Sequence, residues 1–92
     1  MIEIYTPKGK KINGDIELIS DNLKTVLNQS IEHPLIIKCK IKFKSYVDVK
    51  LFCENYMFSI KTRLFKFEAY VGDRTSLNLF EKTITVNFFE FS

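Results

Sequence analysis

Residues 35–53, LIIKCKIKFKSYVDVKLFC, alternate with period two along their whole length. Ile37, Cys39, Ile41, Phe43, Ser45, Val47, Val49, Leu51 and Cys53 are apolar or small. Lys38, Lys40, Lys42, Lys44, Tyr46, Asp48, Lys50 and Phe52 occupy the positions between them. Successive strand side chains point to opposite faces, so this pattern predicts a sheet with one dry face and one lysine-lined face. As a single strand the run would be about 60 Å long at roughly 3.3 Å per residue. Strands in small domains rarely approach that, so a bend near Ser45 is expected to divide it into two strands that keep one phase.

The second of these strands reads onward through Glu54-Asn55 as a two-residue hairpin loop, because Asn tolerates positive φ. That register sets Cys53 against Tyr56, Leu51 against Phe58 and Val49 against Ile60 on the dry side. On the outer side it sets Asp48 against Lys61 and Phe52 against Met57. Phe65, Phe67, Ala69 and Val71 form another dry face, ended by Gly72-Asp73, and Ile84, Val86 and Phe88 form the last. Residues 76–82 fit either a short helix or a strand.

Before the long alternation, Ile2 to Tyr5 reads as a short strand, with turns at Pro7-Lys8-Gly9-Lys10 and at Asn13-Gly14. Ile19, Leu23, Val26 and Leu27 recur at helical spacing, with Asp15 or Ser20 available as N-cap and His33-Pro34 as the stop. The expected fold is therefore α+β. A largely antiparallel sheet of about five strands carries one helix, about residues 15–31, packed on one face. One helix is too narrow to cover such a sheet, so curling of the sheet or self-association as a homodimer is needed to complete the cover.

Ninety-two residues fit a single domain, residues 1–92, with a real core. The composition is that of a soluble globular chain, at 46% hydrophobic and 27% charged residues. No run of about 18 apolar residues is present to span a bilayer, and MIEIYTPKGK lacks the basic-then-apolar order of a signal peptide, so a cytoplasmic protein with no membrane partner is expected. Twelve Lys against two Arg, with abundant Ile, Asn and Phe and one Ala, follow A/T-rich codon usage and associate the chain with a phage or mobile element.

Catalysis finds little support. The one histidine, His33, precedes Pro34, where it suits the C-terminus of a helix. Gly9, Gly14 and Gly72 are isolated turn residues, so no phosphate-cradling loop is present. Cys39 reads as a small buried hydrophobe, and Cys53 as an accessible thiol beside a turn. The carboxylates show no metal-ligand spacing. No catalytic residue, metal site or cofactor is assigned, and the chain is not expected to be an enzyme.

The net charge of +3 conceals an uneven distribution. Residues 35–50 hold five lysines against one acid, which is the relevant scale for an electrostatic contact. Lysines two apart on a strand repel by about 0.6 kcal/mol per neighbouring pair in water, so the row is tolerable without any ligand. The binding residues assigned from sequence are Lys38, Lys40, Lys42 and Lys44 with the aromatics Tyr46, Phe52 and Tyr70. They suit a small non-catalytic interaction protein docking on an acidic surface of a partner protein, for instance a phage or mobile-element inhibitor of a host protein. The alternative is a single-stranded nucleic-acid-binding module, with lysines on phosphates and aromatics stacking on bases. The scarcity of Arg, the usual residue for stacked and bidentate contacts, favours the protein partner.

Overall fold

A computed structural model of the chain describes residues 2–28, 34–74 and 76–91. The elements in order are β1 (Glu3–Tyr5), β2 (Gly14–Asp21), α1 (Leu23–Asn28), β3 (Ile36–Phe43), α2 (Tyr46–Cys53), β4 (Met57–Lys61), β5 (Lys66–Val71) and β6 (Thr83–Glu90). The six strands form one antiparallel sheet in the order β1-β4-β5-β6-β3-β2. The α+β class and the largely antiparallel sheet agree with the sequence reading. Among the described residues there are six strands and two short helices rather than about five strands and one helix.

The first half of the lysine alternation is strand β3, whose buried residues Ile37, Cys39, Ile41 and Phe43 alternate with exposed lysines. The second half is a correction. Tyr46–Cys53 is helix, not strand, and its buried residues are Asp48, Val49 and Phe52, the i, i+1, i+4 set of a helix face. Ser45 is its N-cap residue. The Ser45 hydroxyl donates to Asp48 Oδ2 at 2.9 Å, and Asp48 Oδ1 accepts the backbone N–H of Asn13 at 2.9 Å. Asp48 therefore joins α2 to the N-terminal segment and does not face Lys61. The Glu54-Asn55 hairpin is likewise absent; Phe58 and Ile60 pair with Ala69 and Phe67 of β5. The molecule's longest dimension, 43 Å, has no room for a 19-residue strand.

Residues 15–21 are also strand rather than the start of a helix. Ile16 and Leu18 alternate with Asp15 and Glu17 opposite β3, and the register shifts between Leu18 and Ser20. Ile19 is the extra residue of that bulge. It breaks the period-two phase, and the sequence from Ile19 onward then mimics helical spacing. The real helix, α1, starts at Leu23, whose N–H donates to Asp21 Oδ1 at 3.0 Å. The remainder of the expected helix, with His33, lies outside the described residues. Residues 76–82 are neither helix nor strand: Asn78 and Thr83 exchange backbone hydrogen bonds and close a turn over residues 79–82.

The sheet curls around one core. Phe52 enters from α2 with 0% exposure and stands 5.4 Å from Phe43, 4.8 Å from Phe58 and 6.4 Å from Phe88, ring centre to ring centre. Tilted, stacked and edge-on pairs at these distances contribute about 0.5–1.5 kcal/mol each beyond the area they bury. Arg74 fixes the other end of α2. Its guanidinium donates to the carbonyls of Phe52 and Asn55 and lies over the Phe52 and Tyr56 rings at 5.0 and 4.8 Å.

One corner of the curl is closed by backbone. Lys11 pairs with Tyr5, and Ile12 donates its N–H to the Ile4 carbonyl, while Asn13 accepts from Lys44 beyond the end of β3. Within three residues the chain changes partner from β1 to β3. Gly14 makes that change: a Cβ there would stand 2.3 Å from the Lys42 carbonyl oxygen, inside any tolerable contact. Gly14→Ala should therefore lower stability by roughly 1–3 kcal/mol, comparable to other backbone-strain substitutions. Urea unfolding followed by circular dichroism measures it; a midpoint equal to that of the unsubstituted chain would refute this account of the corner.

Candidate functional site

The face of the sheet opposite α2 carries the side chains of Lys38, Lys40 and Lys42 from β3, all exposed. The β2 register sets Asp15 opposite Lys42 and Glu17 opposite Lys40, while Ser20 stands opposite Lys38. Two of the lysines thus have carboxylates across the strand, which the helical reading of 15–31 hid. Opposite-charge cross-strand pairs contribute roughly 0.2–1 kcal/mol, enough to offset the repulsion along the row. Neither pair closes to ion-pair distance; ion pairs elsewhere include Lys11–Glu3 at 3.0 Å and Lys50–Glu54 at 3.8 Å. On the other side of β3 the lysines face Asn87, Thr85 and Thr83 of β6.

The sequence-assigned aromatics separate into three environments. Tyr46 opens α2 beside Lys44, is 57% exposed, and has Lys82 Nζ 5.3 Å above its ring. Tyr70 projects from β5 onto the lysine face but two strands from β3, where it stacks on Phe89 at 5.4 Å. Gly72 leaves room for that Phe89 ring, since a Cβ there would meet it at 2.5 Å. Phe52 is a correction: it is a core residue, because a helix turns it inward where a strand would have turned it out. The structure gathers Lys40, Lys42, Lys44 and Tyr46 at one end of the face and leaves Tyr70 at the other.

Two residues unassigned from sequence complete the first group. The turn closed by Asn78 and Thr83 is held further by the Glu81 N–H donating to Asn78 Oδ1 at 3.0 Å. Lys82 adopts φ +57°, a left-handed conformation uncommon outside glycine, and its carbonyl accepts the Phe43 N–H at 2.8 Å. The turn so fixed presents Leu79 and Phe80 to solvent, with Phe80 91% exposed. An open groove of about 740 Å³ runs from Phe80 across the sheet, lined by Lys40, Lys42 and Lys82 and by Asp15, Glu17 and Glu81. An adjoining hollow of about 400 Å³ is more basic, with Lys42, Lys44 and Lys82 against Asp15. The sequence signal for this turn was the apolar Leu79-Phe80 pair next to Glu81-Lys82, which is equally compatible with a buried strand or helix.

Comparison with protein-family models, with curated proteins and with solved structures gives no match for this chain. Among the described residues no group of three or more His, Cys, Asp or Glu side chains is placed to hold a metal ion, and no helix is long and apolar enough to cross a membrane.

The two cysteines differ sharply. Cys39 is buried in β3, and loss of water around its sulfur pushes the thiol up to about 12. Cys53, at the end of α2, is exposed. At pH 8 a disulfide reagent should titrate one thiol in the folded chain and two in guanidinium; two in the folded chain would contradict the burial of Cys39. Phe52→Ala should cost about 3–5 kcal/mol as a core truncation. Tyr46→Ala should cost under about 1 kcal/mol, the size of an exposed cation–π contact. Equal losses in thermal unfolding would refute the division between core and surface aromatics.

Proposed function

We propose that this protein is a non-catalytic interaction module that docks on an acidic surface of a partner protein. The contact is the end of the sheet where Phe80, Lys42, Lys44, Lys82 and Tyr46 meet. A phage or mobile-element inhibitor of a host protein is one concrete form, suggested by the A/T-rich residue usage. The observation that carries the reading is Phe80. A large aromatic side chain held in solvent by a hydrogen-bonded turn gains hydrophobic free energy only when a partner buries it. Aromatic anchors ringed by polar groups dominate protein–protein binding energies. The exposed Lys42 and Lys44 and the half-buried Lys82 beside it complement a negatively charged partner and speed encounter.

A single-stranded nucleic acid fits the groove less well. Three carboxylates line it against three lysines, so a phosphate backbone tracking the row meets nearly no net positive charge. The counterion-release contribution that drives such binding is correspondingly small.

Replacing Phe80 by a photo-crosslinking aromatic residue in the full chain should yield a discrete protein adduct in a native-like lysate. In binding assays with the captured protein, Phe80→Ala should weaken affinity by about 30-fold, the equivalent of an interface anchor of about 2 kcal/mol. Lys44→Glu should weaken it further at low salt than at high salt. Thermal midpoints of both variants should match the parent. Absence of an adduct, or unchanged affinity on Phe80→Ala, would refute the proposal. A gel shift of mixed oligonucleotides at about 50 mM salt, where phosphate contacts are strongest, would replace it with the nucleic-acid reading.

A further inference from the structure

Strand β2 forms one edge of the sheet, pairing with β3 alone. Its backbone polarity follows from the ladder. Asn13 is hydrogen-bonded to Lys44, so in an antiparallel ladder Asp15 and Glu17 are the next residues bonded to β3. Ile16 and Leu18 then turn their N–H and C=O groups away from β3, in the direction in which Ile12 already bonds to Ile4. Strand β1 reaches only as far as Glu3, and among the described residues no backbone group bonds to this part of β2. The inner side of the same edge is apolar, with Ile16 half-buried opposite Ile41 and Leu18, opposite Cys39, 45% exposed. Beside Leu18 lies an open hollow of about 200 Å³ whose lining joins apolar residues such as Ile2, Leu23 and Ile37 to the charged Asp21 and Arg63. The outer side carries Asp15 and Glu17.

We infer that the β2 edge is a strand-addition site for an extended basic segment of a partner protein, in which one large apolar residue is flanked on both sides by lysine or arginine. Backbone bonds to Ile16 and Leu18 supply affinity, as in other strand-addition interfaces. The alternation of the incoming strand does the rest. Its apolar residue, opposite Ile16, turns to the inner side, and its basic neighbours turn outward beside Asp15 and Glu17. Strand β3 meets these carboxylates in the same way on the opposite edge, with Lys40 and Lys42 around Ile41.

Charge selects this occupant over a second copy of the chain. Antiparallel pairing of two β2 strands centred on Ile16 sets each Asp15 against the copy's Glu17. Centred on Glu17, it sets the two Glu17 side chains against each other. Like charges directly opposite destabilise a strand pair, and the bulge at Ile19 disrupts the far half of such a ladder. Strand addition uses the backbone edge of β2, whereas the Phe80 contact uses the outer face of β2 and β3; Asp15 and Glu17 border both.

The test uses the isotope-labelled full chain and a capped peptide, Lys-Val-Lys-Leu-Lys-Val-Lys, with hydrogen exchange read residue by residue. The peptide should slow exchange of the Ile16 and Leu18 amides by about tenfold or more, corresponding to roughly 1.4 kcal/mol of added protection. The same peptide with Glu for Lys should leave them unchanged. Asp15→Asn with Glu17→Gln should reduce the protection, while Phe80→Ala should leave it intact. Unchanged Ile16 and Leu18 exchange with the lysine peptide would overturn the inference. So would equal protection by the Glu peptide, or protection that rises with protein concentration alone, which would assign the edge to a second copy.

Discussion

The burial of Phe52 is the interaction on which the other parts depend. Its ring touches aromatic residues from β3, β4 and β6 at once, so it can be seated only if the sheet is curled and α2 lies across its concave side. An eight-residue helix is too short to persist alone in water. It is held by its contacts: Ser45 and Asp48 at the N-terminus, with Asn13 donating across to Asp48, and Arg74 on the last carbonyls. The curl, the helix and the backbone-closed corner at Gly14 therefore stand or fall together. Replacing a buried aromatic ring removes the reason for the helix as well as its main contact.

The parts of this fold legible in the sequence are those where one period persists to the end of an element. Phe67, Ala69 and Val71, and Ile84, Val86 and Phe88, show their buried faces directly, and β3 shows both of its faces. The two misread segments fail for separate physical reasons. In Tyr46–Cys53 the β-branched Val47 and Val49 continue the strand phase by coincidence, while Ser45-x-x-Asp48, a helix-start arrangement, was the contrary signal. In Gly14–Asp21 a bulge inserts one residue, and the displaced Ile19 falls into helical spacing with Leu23. In each case tertiary contacts outweigh a local preference worth only tenths of a kcal/mol per residue.

Those two misreadings govern how the lysine face is understood. Reading 15–31 as a helix leaves the lysine row without counter-charges; reading 14–21 as an edge strand places Asp15 and Glu17 beside it. Reading 46–53 as a strand puts Phe52 on the lysine face; the helix moves it inside and leaves Tyr46 outside, next to Lys82. The row of lysines remains on one exposed face, but its charge is balanced in the middle and uncompensated toward Lys44. The exposed aromatic residue beside it, Phe80, comes from a turn some forty residues away in sequence.

The strand order has a consequence for the growing chain. Both edges of the sheet, β1 and β2, come from the first 21 residues, whereas their partners β4 and β3 come later and β6, beside β3, comes last. During synthesis β1 has only Lys11 and Ile12 beside it until β4 has left the ribosome, and β3 is not enclosed until β6 has done so. This early segment therefore stays partly open, with the side chains of Ile2, Ile4, Ile12, Ile16 and Leu18 unburied, while the centre of the sheet assembles. Pairings of such long sequence separation make folding slow for a chain of this size. During that interval an apolar, period-two segment is exposed to whatever binds nascent strands.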